Sequence, residues 1–181
     1  LALLNGTALL QSCGNNNEES EQERTETRFD RGVRTYITET SPGNFKITDE
    51  EPAAPNRAGA IVSYYDGHRD TLSVEAAKHL VESDQSTNTY LHNPSAYHHH
   101  NGLANALLWG SLGYMIGRST APQYRDDERR YGAGVYANQD AYRRSNQVSE
   151  NVRTSRVTRT VRPSGGRSGF FGRSSGRGFS S

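Results

Sequence analysis

Between Gly102 and Gly117 the chain runs for sixteen residues without a charge, Gly-Leu-Ala-Asn-Ala-Leu-Leu-Trp-Gly-Ser-Leu-Gly-Tyr-Met-Ile-Gly, and this run holds its only tryptophan and its only methionine. No other internal stretch can supply so large a block of apolar core. Leucine, isoleucine, valine and phenylalanine together number 30 of 181 residues, about 17%, and five of them lie in the first ten positions. That is below the roughly 20% at which a chain begins to lack material for a packed interior. Much of the chain is therefore expected to stay irregular, because it buries too little apolar surface to offset the entropy of ordering.

Read as one helix, residues 102–117 reach about 24 Å, short of the ~30 Å hydrocarbon layer of a bilayer. Ala106, Gly110, Gly113 and Gly117 recur at spacings of four, three and four. Such a stripe of small residues lets another backbone approach closely. Three uses stay open: packing on a neighbouring module that lacks core, residence at a membrane with Trp109, Tyr114 and Arg118 near the headgroups, and self-association into a homo-oligomer.

The neighbouring module is expected at 29–83. Val33, Thr35 and Ile37 alternate with polar residues as in a half-buried strand, Ser41-Pro-Gly-Asn44 is a turn, and Phe45 and Ile47 begin a second strand. Glu50 to Arg57 reads as a loop. Ala60–Tyr65 is the clearest strand, Asp66-Gly67 the turn after it, and His68–Leu72 pairs back. A helix then follows with Ser73 as N-cap, Glu75 in its first turn and Val74, Ala77 and Val81 on its apolar stripe. The expected fold class is α+β: a small module of three to four short strands and one helix, a separate glycine-rich apolar helix, and long disordered tails. Residues 84–101 read as a polar, histidine-containing linker. Residues 118–181, built of Arg, Gly, Ser, Tyr and Asn, read as a disordered tail with a frayed helix around Pro122 to Arg144.

Charge is segregated. Residues 13–117 carry 15 acidic and 8 basic side chains, whereas 118–181 carry 13 arginines, no lysine and five acids, none beyond Glu150. A lysine-free basic tail suits polyanions: nucleic acid, anionic lipid headgroups, anionic envelope polymers, or the acidic half of a second copy. Arg153, Arg156, Arg159 and Arg162 recur every three residues, a period that lines one side of a polyproline-like chain. Arg167, Arg173 and Arg177 then interleave with Phe170, Phe171 and Phe179 in the manner of segments that bind single-stranded nucleic acid by stacking and charge.

Cys13 is the only cysteine, so an intramolecular disulfide and a cysteine-rich zinc site are both excluded. Residues 1–12 are apolar, uncharged and too short to span a bilayer, as the core of a truncated signal peptide would be. Leu10-Gln-Ser-Cys13 places a leucine three positions before the cysteine and a small residue directly before it, as in a bacterial lipobox, where the thiol is acylated. Residues 13–28 are acidic and polar, suited to a tether. Two or three acyl chains on one residue hold a soluble body at a bilayer, since each buried methylene contributes about 0.8 kcal/mol.

Little else in the chain resembles a reaction centre. His98, His99 and His100 are weak metal candidates, because consecutive residues on regular structure do not face one centre. Asp66, His68 and Asp70 lack a marked nucleophile, and no phosphate-binding glycine loop is present. No cofactor is implied.

Several features recur in order: the lipobox, Gly43-Asn-Phe-Lys-Ile-Thr-Asp-Glu-Glu-Pro52, the run Ala60 to Leu72, Leu72-Ser-Val-Glu-Ala-Ala-Lys-His-Leu80, Gly110-Ser-Leu-Gly-Tyr-Met-Ile-Gly-Arg118, Ser168-Gly-Phe-Phe-Gly-Arg173 and Gly176-Arg-Gly-Phe179. Together they resemble the YgiB-like lipoproteins of Gram-negative bacteria. The resemblance implies an outer-membrane or periplasmic lipoprotein without assigned enzyme activity, and it supplies no catalytic residues. The expected function is a lipid-anchored, non-enzymatic envelope protein with a structural or interaction role. Two alternatives are a nucleic-acid-binding protein working through the tail and a histidine-based metal binder; export makes the first of these unlikely to meet its ligand.

Overall fold

The computed structural model describes residues 24–121 and 124–161. The chain divides into two compact units, of which Glu26–Arg159 is described almost throughout. Cys13, residues 1–12, the first part of the tether, and Arg162, Arg167, Arg173 and Arg177 lie outside the described residues.

The chain enters through β1 (Arg24–Phe29), so the end of the expected tether is a strand. A four-stranded sheet follows, built from β2 (Gly32–Ser41), β3 (Asn44–Ala53), β4 (Gly59–Ser63) and β5 (Arg69–Ser73) in the order β3-β2-β4-β5. β2 and β3 form the hairpin that Ser41-Pro-Gly-Asn44 announces, β4 lies parallel to β2 on its other side, and β5 returns antiparallel to β4. The reading of Glu50–Arg57 as a loop is corrected: β3 continues to Ala53, and the link from there to β4 holds a single 3₁₀ turn, Pro55–Arg57.

Helix α1 (Val74–Ser83) starts where expected, with the Ser73 hydroxyl accepting from the Ala76 amide at 3.2 Å and with Ala77 and Val81 buried. The expected linker 84–101 is largely structured. Asp84 caps α2 (Gln85–His92), accepting from the Thr87 amide at 2.9 Å, and a 3₁₀ turn spans Pro94–Ala96. Its polar composition hides three residues that pack inward: Thr87, Tyr90 and Tyr97.

The uncharged run forms two short helices, α3 (Leu103–Trp109) and α4 (Gly113–Ile116), with a break at Gly110-Ser-Leu112. Both are buried against the sheet and α1, so the run supplies the core that the module lacks. Among the described residues no helix is long and apolar enough to cross a membrane.

The expectation of disorder over 118–181 is corrected for residues 124–161, and residues 162–181 lie outside the described residues. α5 (Tyr124–Val135) and α6 (Gln139–Thr154) are helices, and β6 (Arg156–Val161) pairs with β1 in a two-stranded ribbon. Asn138 caps α6 by accepting from the Ala141 amide at 2.8 Å. Ala141, Ser145, Val148 and Val152, spaced four, three and four, are its buried stripe. Small side chains let this polar helix lie close to β3 without large hydrophobes.

Candidate functional site

On β2 the inward residues are Val33, Thr35 and Ile37, and on β3 Phe45 and Ile47 face the same core. Strict alternation would next bury Asp49 and expose Glu50. The register prevents this: Tyr36 pairs with Asp49 and Ile37 with Ile47, leaving Thr48 as an extra residue. This bulge reverses the parity of β3 beyond it, so Glu50 turns inward beside its partner Thr35.

Glu50 is 4% exposed and is surrounded by donors. Thr35 Oγ1 and the Ser111 amide each donate to Oε1 at 2.8 Å. Ser111 Oγ and Tyr136 Oη donate to Oε2, the latter at 2.9 Å. Four elements therefore meet on one carboxylate: β2, β3, the break between α3 and α4, and the end of α5. Tyr136 is brought there because it bridges to Ile47, whose carbonyl accepts from the Ala137 amide at 2.8 Å. Burial pushes the Glu50 carboxyl above the usual range for glutamate, although the hydrogen bonds from Ser111, Thr35 and Tyr136 pull the other way. Burial and the adjacent carboxylate push the Tyr136 hydroxyl well above its ordinary value, so it stays a donor.

Ser111 Oγ also lies 2.5 Å from Ser149 Oγ on α6. Ser149 lines an open cleft of about 380 Å³ together with Tyr114, Glu128, Arg129, Tyr142, Asn146, Glu150 and Arg153. A chain of hydroxyls thus connects the buried carboxylate to a polar hollow at the surface. At its inner side the Tyr114 hydroxyl donates to Glu128, and Arg118 Nη2 lies 3.8 Å from the same carboxylate. Arg118 is 1% exposed, stacked over the rings of Tyr114 and Trp109 with its guanidinium carbon 4.4 and 5.4 Å from their centroids. Trp109, Tyr114 and Arg118, which the membrane use of this run would place near headgroups, are all interior. Chemically the cleft offers hydrogen bonds of both polarities. Ser149 has another hydroxyl as its partner, and among the described residues no histidine lines the cleft.

The glycine-spaced residues serve the same centre. They do not form one helix face, because the break falls between Gly110 and Gly113. A methyl group on Gly110 would stand 2.7 Å from Ile47 Cδ1 and 3.0 Å from Glu50 Oε1, so this glycine admits β3 and its carboxylate. On Gly113 it would stand 1.8 Å from the Leu108 carbonyl oxygen. Ala106 is buried, and Gly117 joins α4 to the turn Arg118–Thr120.

The three histidines diverge. The His98 carbonyl accepts from Ser86 Oγ at 2.5 Å, and the His99 ring stacks on Tyr131 at 5.2 Å. The Gly102 amide donates to His100 Nδ1 at 3.0 Å, which leaves the proton on Nε2, 3.3 Å from Asp84 Oδ1. Both His100 nitrogens are thereby engaged. Burial lowers the pKa of His99. Among the described residues no cluster of three His, Cys, Asp or Glu side chains could hold a metal.

The arginines do not line one side of an extended chain. Arg153 belongs to the last turn of α6 and pairs with Glu150 at 2.6 Å, whereas Arg156 and Arg159 lie on β6, where a spacing of three puts them on opposite faces.

The model of the UPF0323 lipoprotein domain matches residues 33–153, and the chain belongs to that family. The match begins on β2 and ends on α6, so it takes in the sheet, the buried carboxylate and the cleft. Membership agrees with the likeness to the YgiB-like lipoproteins, with a place in the bacterial envelope and with membrane association through a lipid anchor. No curated protein and no solved structure matches the chain.

Proposed function

We propose that this protein is a lipid-anchored, non-enzymatic component of the envelope of a Gram-negative bacterium, held at the outer membrane or its periplasmic face through acylated Cys13. The observation that carries the reading is the combination of a lipoprotein-domain match over 33–153 with Leu10-Gln-Ser-Cys13 upstream of it. Residues 14–23, polar and four times acidic, separate the anchor from the body and reach at most about 35 Å. The non-enzymatic part rests on the polar centre. Glu50 spends both oxygens on internal donors, and the Asp84–His100 pair spends both ring nitrogens. These groups fasten elements together, as expected of a body that presents a surface to a partner. The arginine-rich end of the chain would meet anionic lipid headgroups or envelope polymers.

Palmitate labelling tests the anchor. Cells expressing the chain with its native leader should incorporate radiolabelled palmitate into the protein, and Cys13→Ala should abolish incorporation. Equal labelling of both forms, or labelling of neither, would refute it.

A further inference from the structure

The ribbon of β1 and β6 is absent from the sequence expectations, and its described side chains are mostly exposed. The Asp30 amide donates to the Ser155 carbonyl at 3.0 Å, where β1 ends and β6 begins. The strands therefore run antiparallel, and the chain enters and leaves the body side by side. Along β1 the described side chains at 25–28 are exposed, and along β6 all are exposed except Val157, which is half-buried. A two-stranded ribbon open on both faces is only marginally stable in water. Its charge is one-sided: among the described side chains of the two strands Arg28, Arg156 and Arg159 stand against Glu26 alone. Arg28 and Arg159 flank a hollow of about 240 Å³, with Thr27 and Glu26 completing its lining. Arg28 also touches Asp30 at 3.1 Å, but both side chains are more than half exposed, and such a pair holds a guanidinium weakly.

We propose that this ribbon is a docking surface for phosphate-bearing lipid headgroups, with Arg28 and Arg159 as its paired phosphate ligands, and that it turns this end of the body toward the membrane. The inference rests on anchoring at Cys13, since β1 begins at Arg24, close after the anchor along the chain, and is tethered within reach of the bilayer. Acylation supplies the attachment, and the arginines add a contact to the anionic headgroups beneath the body. Planar guanidinium groups bind phosphate oxygens in pairs, which suits this partner better than lysines would. The basic ribbon also fixes an orientation, which a flexible lipid tether alone does not.

The test uses the full chain carrying Cys13→Ala, so that no acyl chain contributes. Sedimentation with vesicles of phosphatidylglycerol and phosphatidylcholine (1:3) is compared with vesicles of phosphatidylcholine alone. Residues 1–12 are uncharged and affect both alike, so the difference is the readout. Preferential binding to the anionic vesicles is expected, weakening as salt rises. Arg28→Gln with Arg159→Gln should reduce that preference about thirtyfold, a factor of roughly five for each arginine near an anionic surface. No preference, or an unchanged preference in the double variant, would overturn the proposal even if palmitate labelling succeeds. So would retention by a single-stranded DNA 20-mer but not by vesicles. Binding that appears only after Glu18, Glu19, Glu21 and Glu23 are changed to glutamine would overturn it too, by showing that the acidic lead occupies the ribbon. Binding as expected in a chain that proves unlabelled by palmitate would uphold the ribbon and remove the anchor.

Discussion

Replacing Glu50 with alanine should destabilise the body by about 3–5 kcal/mol, because a backbone amide and three hydroxyls lose their acceptor in a site closed to water. For a body of this size the midpoint of thermal unfolding should fall by on the order of 10–20 °C. Glu50→Gln should cost about 1 kcal/mol or less, since its carbonyl still accepts and the hydroxyls can rotate to accept from its amide. The pH dependence distinguishes the charge from the shape. The carboxyl titrates higher in the folded chain than its ordinary value near 4.5, because burial disfavours the ion. The unfolded chain therefore releases this proton first as pH rises. This group's contribution to stability is greatest below the unfolded value and declines as pH climbs toward the folded one. Thermal melts from pH 4 to 8 should show that decline in the native chain and a flatter profile in Glu50→Gln. Equal losses in both variants would mean that the hydrogen bonds are not what joins these elements, and an unchanged slope in the glutamine form would mean that Glu50 is not the group that titrates.

The second large effect belongs to Trp109. It is 1% exposed, lies 4.8 Å from the Tyr90 ring and 5.2 Å from Tyr131, and donates from Nε1 to the Tyr97 hydroxyl at 2.8 Å. Trp109→Ala should cost about 3–5 kcal/mol in urea unfolding followed by circular dichroism, the range for emptying a large aromatic site. Trp109→Phe should cost roughly 1–2 kcal/mol, for the lost volume and the lost bond to Tyr97. A loss below about 1 kcal/mol for alanine would suit a tryptophan on an outer, lipid-facing surface and would contradict its place in the core.

The alternation of Val33, Thr35 and Ile37, the turn at Pro42-Gly43, the strand before Asp66-Gly67 and the Ser73 cap are local signals, and each is realised where the sequence puts it. Glu50 was not legible, because its inward aim depends on a bulge at Thr48 that exists only through pairing with β2. The end of α2 and the turn after it were hidden by composition. Tyr90 and Tyr97 make that segment part of the core, but Asn, Ser and His surround them. In α6 the spacing of Ala141, Ser145, Val148 and Val152 was a usable sign of a helix, and the many polar residues around it outweighed that sign. The uncharged run leaves three uses open in the sequence, and its break at Gly110 answers to the approach of Ile47 and Glu50 from β3. What the sequence alone could not show, in each case, is a partner distant along the chain.

Everything functional in this account rests on the attachment at Cys13, and mass spectrometry of the protein purified from bacterial membranes tests it most directly. The mature chain is expected to begin at Cys13 and to be heavier than its polypeptide by the mass of its acyl groups. A bare thiol at Cys13, with residues 1–12 still joined to it, would contradict the account.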